Sequence, residues 1–287
     1  MTKGSLATRI KEITLAHNFR MSKALGQNFL KDPHILESII DSAELTEGDT
    51  VIEVGPGIGV LTEAIAQRAK QVIGIEIDRH LIPILEQTLR DYPGVRIIHE
   101  DVLKVNLAAI EKQFFPGAEP KIIANLPYYI TTPIIMHFLE SSMRFKSMTV
   151  MMQKEVADRI ISEPGLKTYG TISVAVQYYT RVEKVTEVPR GAFIPEPKVD
   201  STVIKLTPHS VPPVILESHV HFFRTVKAAF STRRKTLVNA LSNAFDKEQV
   251  KEAVKTSGID PSRRGETLTI EEFARLSNEL YRIEKSS

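Results

Sequence analysis

The run Val51-Ile-Glu-Val-Gly-Pro-Gly-Ile-Gly-Val-Leu-Thr62 constrains the fold of this chain more than any other segment. A short apolar stretch leads directly into Gly55, Gly57 and Gly59, and then into residues suited to a helix. Glycine lets a backbone turn sharply and lets a ligand approach without side-chain obstruction. A strand ending in such a turn belongs to an open sheet whose ligand crevice lies at the carboxyl ends of its strands.

The surrounding pattern repeats that unit. Short apolar runs at Val51–Val54, Val72–Ile77, Val95–Ile98, Lys121–Ala124 and Met148–Met152 are interleaved with helical stretches such as Leu61–Ala69 and Leu81–Tyr92. Such alternation predicts a doubly wound α/β sheet, mostly parallel, with helices on both faces. Near-continuous apolar strands suit a sheet buried on both sides. Glu183–Val188 and Thr202–Leu206 read as two further strands. Thr171–Gln177 fits either an alternating strand or a buried helix.

Pro208, Pro212 and Pro213 mark Thr207–Val214 as a linker. Beyond it the pattern is helical: His221–Phe230, Lys235–Phe245, Lys247–Ser257 and Ile270–Glu284. The last carries a capping-box signature, Thr269 with Glu272, and would bury Phe273, Leu276 and Leu280 on one face. The expected division is an α/β catalytic domain over residues 1–206 and a small all-α domain over 207–287.

Cysteine is absent, which excludes disulfides and thiolate metal sites. No apolar run is long enough to span a membrane, and the N-terminus lacks the apolar core of a secretory signal, so a cytoplasmic protein is expected. Net charge is only +2, but its distribution is uneven. Residues 1–31 carry Lys3, Arg9, Lys11, Arg20, Lys23 and Lys31 against Glu12 alone. Residues 224–235 carry Arg224, Lys227, Arg233, Arg234 and Lys235 and no acid. Two basic segments on a near-neutral chain suit either a polyanion docked at defined places or solvated charge.

The glycine turn points to a nucleotide-like cofactor. Glu76 follows Gly55 by 21 residues, at the end of the next strand, where a carboxylate would accept hydrogen bonds from ribose hydroxyls. Asp101 ends the third strand region and would meet an adenine amine. The spacing G-x-G-x-G departs from the G-x-G-x-x-G of dinucleotide enzymes, which favours S-adenosylmethionine over NAD. Asp78 reads as a cap or turn residue. His219, His221 and His99 lack partners for a metal and read as structural or surface residues.

Asn125-Leu126-Pro127-Tyr128 follows the fourth strand, at the same sheet edge. An adenine N6 lone pair is delocalised into the ring and is a poor nucleophile. Acceptors around the amine, the Asn125 side-chain carbonyl and the Leu126 backbone carbonyl, favour its pyramidal form and stabilise the charge that grows on it. Tyr128 would stack on the base, Pro127 would stiffen the loop, and the base must first be unstacked. Phe193 would close the other face of the base, unless it is plain core.

These motifs together resemble the bacterial small-subunit ribosomal RNA adenine dimethyltransferases. The resemblance runs through Lys23-Ala-Leu-Gly-Gln-Asn-Phe-Leu30, the glycine turn, Asn125-Leu-Pro-Tyr-Tyr-Ile-Thr-Thr-Pro133, Met152-Gln-Lys-Glu-Val-Ala157, Phe193 to Ser201, and Arg224 through Leu237. It implies a seven-stranded, Rossmann-like methyltransferase sheet with its last strand antiparallel, and a helical C-terminal domain. It also implies that S-adenosylmethionine dimethylates N6 of two adjacent adenosines in the 3′-terminal hairpin of 16S rRNA, late in 30S subunit assembly. It assigns Gln27, Asn28 and Leu30 to a segment, within residues 1–31, that folds over the cofactor. Gly55, Gly57, Glu76, Ile77, Asp101, Val102 and Asn125 complete the cofactor set. The basic stretch from Arg224 to Lys235 would contact rRNA phosphates. A monomer without metal or membrane attachment is expected. Two alternatives remain: an erythromycin-resistance-type methyltransferase of 23S rRNA, and a non-catalytic rRNA-binding assembly factor. A nicotinamide dehydrogenase is a remote third.

Overall fold

Strand order, read with strand direction, fixes where a ligand can bind. The computed structural model describes residues 5–22 and 25–286. Lys3 and Lys23 of the N-terminal basic cluster, and Lys23-Ala24 of the cover segment, lie outside the described residues. The strands are β1 (Phe29–Leu30), β2 (Thr50–Val54), β3 (Gln71–Glu76), β4 (Val95–His99), β5 (Lys121–Asn125), β6 (Ser147–Gln153), β7 (Thr180–Val188), β8 (Phe193–Ile194) and β9 (Ser201–Pro208). Seven of them form one sheet in the order β4-β3-β2-β5-β6-β9-β7. β4, β3, β2, β5 and β6 run parallel, and β9 is antiparallel to β6. β9, the last strand in sequence, therefore lies inside the sheet, and β7 takes the edge.

The chain runs outward from β2 through β3 to β4, then returns to place β5 on the other side of β2. That reversal opens a crevice at the carboxyl ends of β2 and β5. Val54 pairs with Ala124 and with Ile75. Gly55, Asn125 and Glu76 therefore leave the sheet side by side. The strands are apolar on both faces because both are covered: neighbouring Val51 and Ile52, and Ile122 and Ile123, are all at most 1% exposed.

The helices are α1 (Leu6–Ala16), α2 (Pro33–Ser42), α3 (Val60–Ala66), α4 (Ile82–Thr88), α5 (Leu107–Phe114), α6 (Thr131–Leu139), α7 (Lys154–Ile160), α8 (Thr171–Tyr179), α9 (His219–Ala229), α10 (Leu237–Leu241), α11 (Lys247–Thr256) and α12 (Ile270–Ser286). α2 starts where Asp32 accepts the His34 and Ile35 amides and Pro33 fills the first turn, a cap with a clear local signal. α1 is tied to α3 by a bidentate ion pair from Arg9 to Glu63. Among the described residues no helix is long and apolar enough to cross a membrane.

The chain divides into two compact units. One comprises Met1–Ala157 and Val182–Pro208, and the other Asp158–Arg181 and His209–Ser287. The single boundary expected after residue 206 thus misplaces residues 158–181. Tyr169, Val174 and Tyr178 belong to the core of the helical unit, beside Phe222, Val226, Leu241 and Phe273. The buried Tyr169 hydroxyl donates to the Leu268 carbonyl at 3.1 Å. Thr171–Gln177 is helical, in α8, and buried nearly all round, which is why its apolar pattern reads ambiguously. The expected helix Lys235–Phe245 shortens to α10, capped at Thr236 and at Ser242, whose hydroxyl donates to the Val238 carbonyl at 2.7 Å. The capping box of α12 is present, with the Thr269 amide donating to Glu272 at 2.9 Å and the Glu272 amide to Thr269 at 3.3 Å.

Candidate active site

A cleft opens at the reversal point, and the glycine turn forms its floor. Gly55 adopts φ +68°, and nothing stands within 4 Å of where its Cβ would be, so its backbone faces open space. Gly57 adopts φ +62°, and a Cβ there would come within 2.9 Å of the Phe29 ring. Conformation and packing both require glycine at that position.

Glu76 stands beside this turn. One carboxylate oxygen accepts the Gly57 amide at 3.1 Å and the other the Asp78 amide at 2.9 Å. Burial raises the pKa of Glu76, against the pull of those amides. Each oxygen has a second lone pair, so the group suits the two hydroxyls of a ribose. Leu30, Ile77 and Val102 supply apolar wall, and Asp101 lines the same cleft. Asp101 also accepts the Leu103 amide at 3.0 Å, so it serves its own turn as well. An open glycine cradle, a diol-matching carboxylate and apolar flanks fit a nucleoside donor such as S-adenosylmethionine.

Residues 25–30 cross the cleft as a strap. Gln27 lines it, but both ends of its side chain are engaged: Oε1 accepts the Ser22 amide at 2.6 Å, and Nε2 donates to Asp78 at 2.7 Å. Gln27 is thus a latch. Asp78, read from sequence as a cap, does accept the His80 amide at 3.0 Å, and is also the catch for that latch. Burial would raise its pKa, but the bonds from His80 and Gln27 outweigh burial and lower it. Asn28 turns its side chain to the Gly26 carbonyl, and its own backbone carbonyl accepts Nδ2 of Asn125 at 3.0 Å.

Asn125, Leu126, Pro127 and Tyr128 line the same cleft, together with Tyr129, which is 55% exposed. The Leu126 amide is held by the Met151 carbonyl at 3.0 Å. The Tyr128 hydroxyl meets Ser201 Oγ at 2.6 Å. Burial raises the pKa of the Tyr128 hydroxyl, so it stays protonated.

Phe193 does not line the cleft. It is 1% exposed, pairs with Leu30 between β1 and β8, and packs in the core of this unit. The segment from Phe193 to Ser201 reaches Tyr128 through Ser201 instead. Glu53, not singled out from the sequence, lines the cleft with one oxygen buried and unpartnered. Burial, aided by the nearby Glu76 charge, pushes its pKa up to about 8.

The five basic residues from Arg224 to Lys235 are all exposed, yet they differ. Arg224 donates to the Ala244 carbonyl and lies over the Phe245 ring, and Arg233 donates to the Lys167 and Tyr169 carbonyls. These two brace the helical unit. Lys227, Arg234 and Lys235 extend into solvent. The buried His221 ring is a structural residue set between Ser277 and Glu284. Among the described residues, no three His, Asp or Glu side chains converge as a metal site.

A doubly wound sheet with an inserted antiparallel strand, and a nucleoside cleft at its reversal point, defines a Rossmann-like methyltransferase. Comparison with known proteins narrows this. The model of the ribosomal RNA adenine dimethylase family matches residues 18–282, and the chain belongs to that family. Membership makes it an S-adenosylmethionine-dependent enzyme that methylates adenine in ribosomal RNA. The ribosomal RNA small subunit methyltransferase A of Alkaliphilus oremlandii is 53% identical, over 98% of this chain and 99% of its own length. The corresponding Enterococcus faecalis protein is 51% identical over 95% of each chain. A dimethyladenosine transferase from Plasmodium falciparum superposes with a TM-score of 0.72 at 28% identity, covering 90% of this chain and 98% of its own. The 23S rRNA methyltransferase ErmE superposes at 0.69 with 26% identity, covering 88% and 100%.

Proposed function

We propose that this enzyme dimethylates N6 of two adjacent adenosines near the 3′ end of 16S rRNA, within a 30S subunit or its late precursor, as a cytoplasmic monomer. The relatives that share about half of its residues over nearly their whole length are named for the small subunit, which supports that choice over 23S rRNA. When bound, S-adenosylmethionine supplies an electrophilic methyl group on a sulfonium. The residues of this chain supply the rest.

The Asn125 side chain carries the reading. Its amide nitrogen is engaged by the Asn28 carbonyl, which leaves Oδ1 as the acceptor for an incoming amine. Asn125 Oδ1 and the Leu126 carbonyl take hydrogen bonds from the target amine and offset the positive charge that develops on it. Tyr128 stacks on the base and holds the amine in place. Once the nitrogen is quaternary-like and acidic, its proton passes to solvent, so no dedicated base is needed. Gln27, Asn28 and Phe29 close the cleft against water.

Incubation with 30S subunits lacking the modification, followed by mass spectrometry of 16S rRNA fragments, tests the proposal. The parent should add four methyl groups to two adjacent adenosines, and Asn125→Ala should add none while still binding the subunit. Methylation of naked 23S rRNA alone would overturn the assignment. Parental activity in Asn125→Ala would overturn the role of that side chain.

A further inference from the structure

We propose that Ser201 is a positioning residue for methyl transfer, acting by fixing where the long axis of the Tyr128 ring lies. The inference rests on the reading of Tyr128 as the ring that stacks on the target base. Tyr128 sits on the loop after β5, whereas Ser201 begins β9, two strands away in the order β5-β6-β9. Two strand spacings are roughly 10 Å, so the side chain reaches across the end of β6 to make this bond.

The contact is a hydroxyl pair at 2.6 Å, at the short end for such bonds, with either oxygen able to donate. Ser201 is fully buried. It pairs with Gln153 across β6 and β9, and its neighbour Asp200 is pinned on both sides. The Lys154 amide donates to the Asp200 carbonyl at 3.0 Å, and the Arg190 amide to its carboxylate at 2.9 Å. The anchor is therefore part of the sheet, while the ring it holds stands on a loop.

A ring tied only at Cα rotates about its side-chain torsions. One tied also at its far end keeps its long axis in one place beside the base. Fixing that axis sets where the stacked base, and with it the amine, lies against Asn125 Oδ1, and small misplacements at a reacting centre cost rate steeply. The hydroxyl of Tyr128, which takes no part in stacking, thus gains a function. The same bond explains what the Phe193–Ser201 segment contributes to a site that Phe193 does not reach.

Ser201→Ala, Tyr128→Phe and the double variant test this on the full chain with unmodified 30S subunits. Each single variant should lower kcat about five- to twentyfold. The double variant should lose no more than either single one, and the Kd for S-adenosylmethionine should match the parent. Parental kcat in Ser201→Ala, or a double loss equal to the product of the single losses, would overturn the proposal. If Ser201→Ala does not fold, Tyr128→Phe decides: parental kcat there overturns the proposal. Tyr128→Ala checks the underlying reading separately, because full activity in that variant would remove the stacking role itself.

Discussion

Glu53 is the penultimate residue of β2, two residues before Gly55, and holds its proton in the folded protein. Burial raises its pKa from 4.5 to about 8. Below the lower value both folded and unfolded chains are protonated, and the full stabilisation is present. Between the two values the unfolded chain has lost a proton that the folded chain retains, so stability falls as pH rises. Glu53→Gln should flatten this dependence and stabilise the protein by about 1–3 kcal/mol at pH 8; urea unfolding at pH 5 and pH 8 measures it. Legibility at this scale follows distance along the chain. Glu76 and Asp101 can be read from the sequence because one ends β3 and the other follows β4 by two residues, both at the crevice. Asn28 cannot, because its partner Asn125 lies 97 residues away. Phe193 is legible as an aromatic residue in a motif, but its burial depends on a two-residue strand pair that leaves no local signature. Ser201 is hidden for the same reason: nothing near it announces Tyr128.

Between elements, the amino-terminal ends of the central strands are joined by charge. Asp49, 4% exposed, accepts Lys121 at 3.0 Å and Lys146 at 2.7 Å, and also takes the Thr46 amide and hydroxyl. Burial alone would raise its pKa, but the two lysines and Thr46 hold it below the ordinary carboxylate range. Its contribution is therefore present above the usual value of 3.8 and is lost as pH falls through the depressed one. Asp49→Asn would leave the buried Lys121 ammonium without its counter-charge. It should cost about 3 kcal/mol at pH 7 in urea unfolding, and much less near pH 2. Element boundaries were legible wherever one period dominated, as in β2 and in α12 with its capping box. They blurred in α8, where burial on nearly every side erases the contrast between faces.

Across the whole molecule, the basic stretch separates into two kinds of cation. Arg224 and Arg233 brace the helical unit, whereas Lys227, Arg234 and Lys235 are exposed. Replacing the last three with Gln should leave thermal stability unchanged. It should reduce the slope of log K against log salt for rRNA binding by about 2–3, as measured by filter binding. Arg233→Gln should instead lower the melting temperature of the helical unit. The parallel sheet is readable from alternation alone, whereas its strand order and reversal point are not. The second unit was only partly readable, because residues 158–181 precede β7 and β9 in sequence yet pack with helices that follow them. One consequence concerns traffic through the cleft. Leu30 pairs with Phe193, and the Lys31 amide donates to the Ala192 carbonyl at 2.8 Å. The strap that crosses the cleft and the stretch leading to Ser201 are thus stitched together, and a spent donor is expected to leave by loosening that seam. Amide hydrogen exchange reports the seam directly: the Lys31 proton should exchange more slowly when S-adenosylhomocysteine is bound. The same short ladder would then make departure of the donor and loosening of the acceptor platform a single kinetic event.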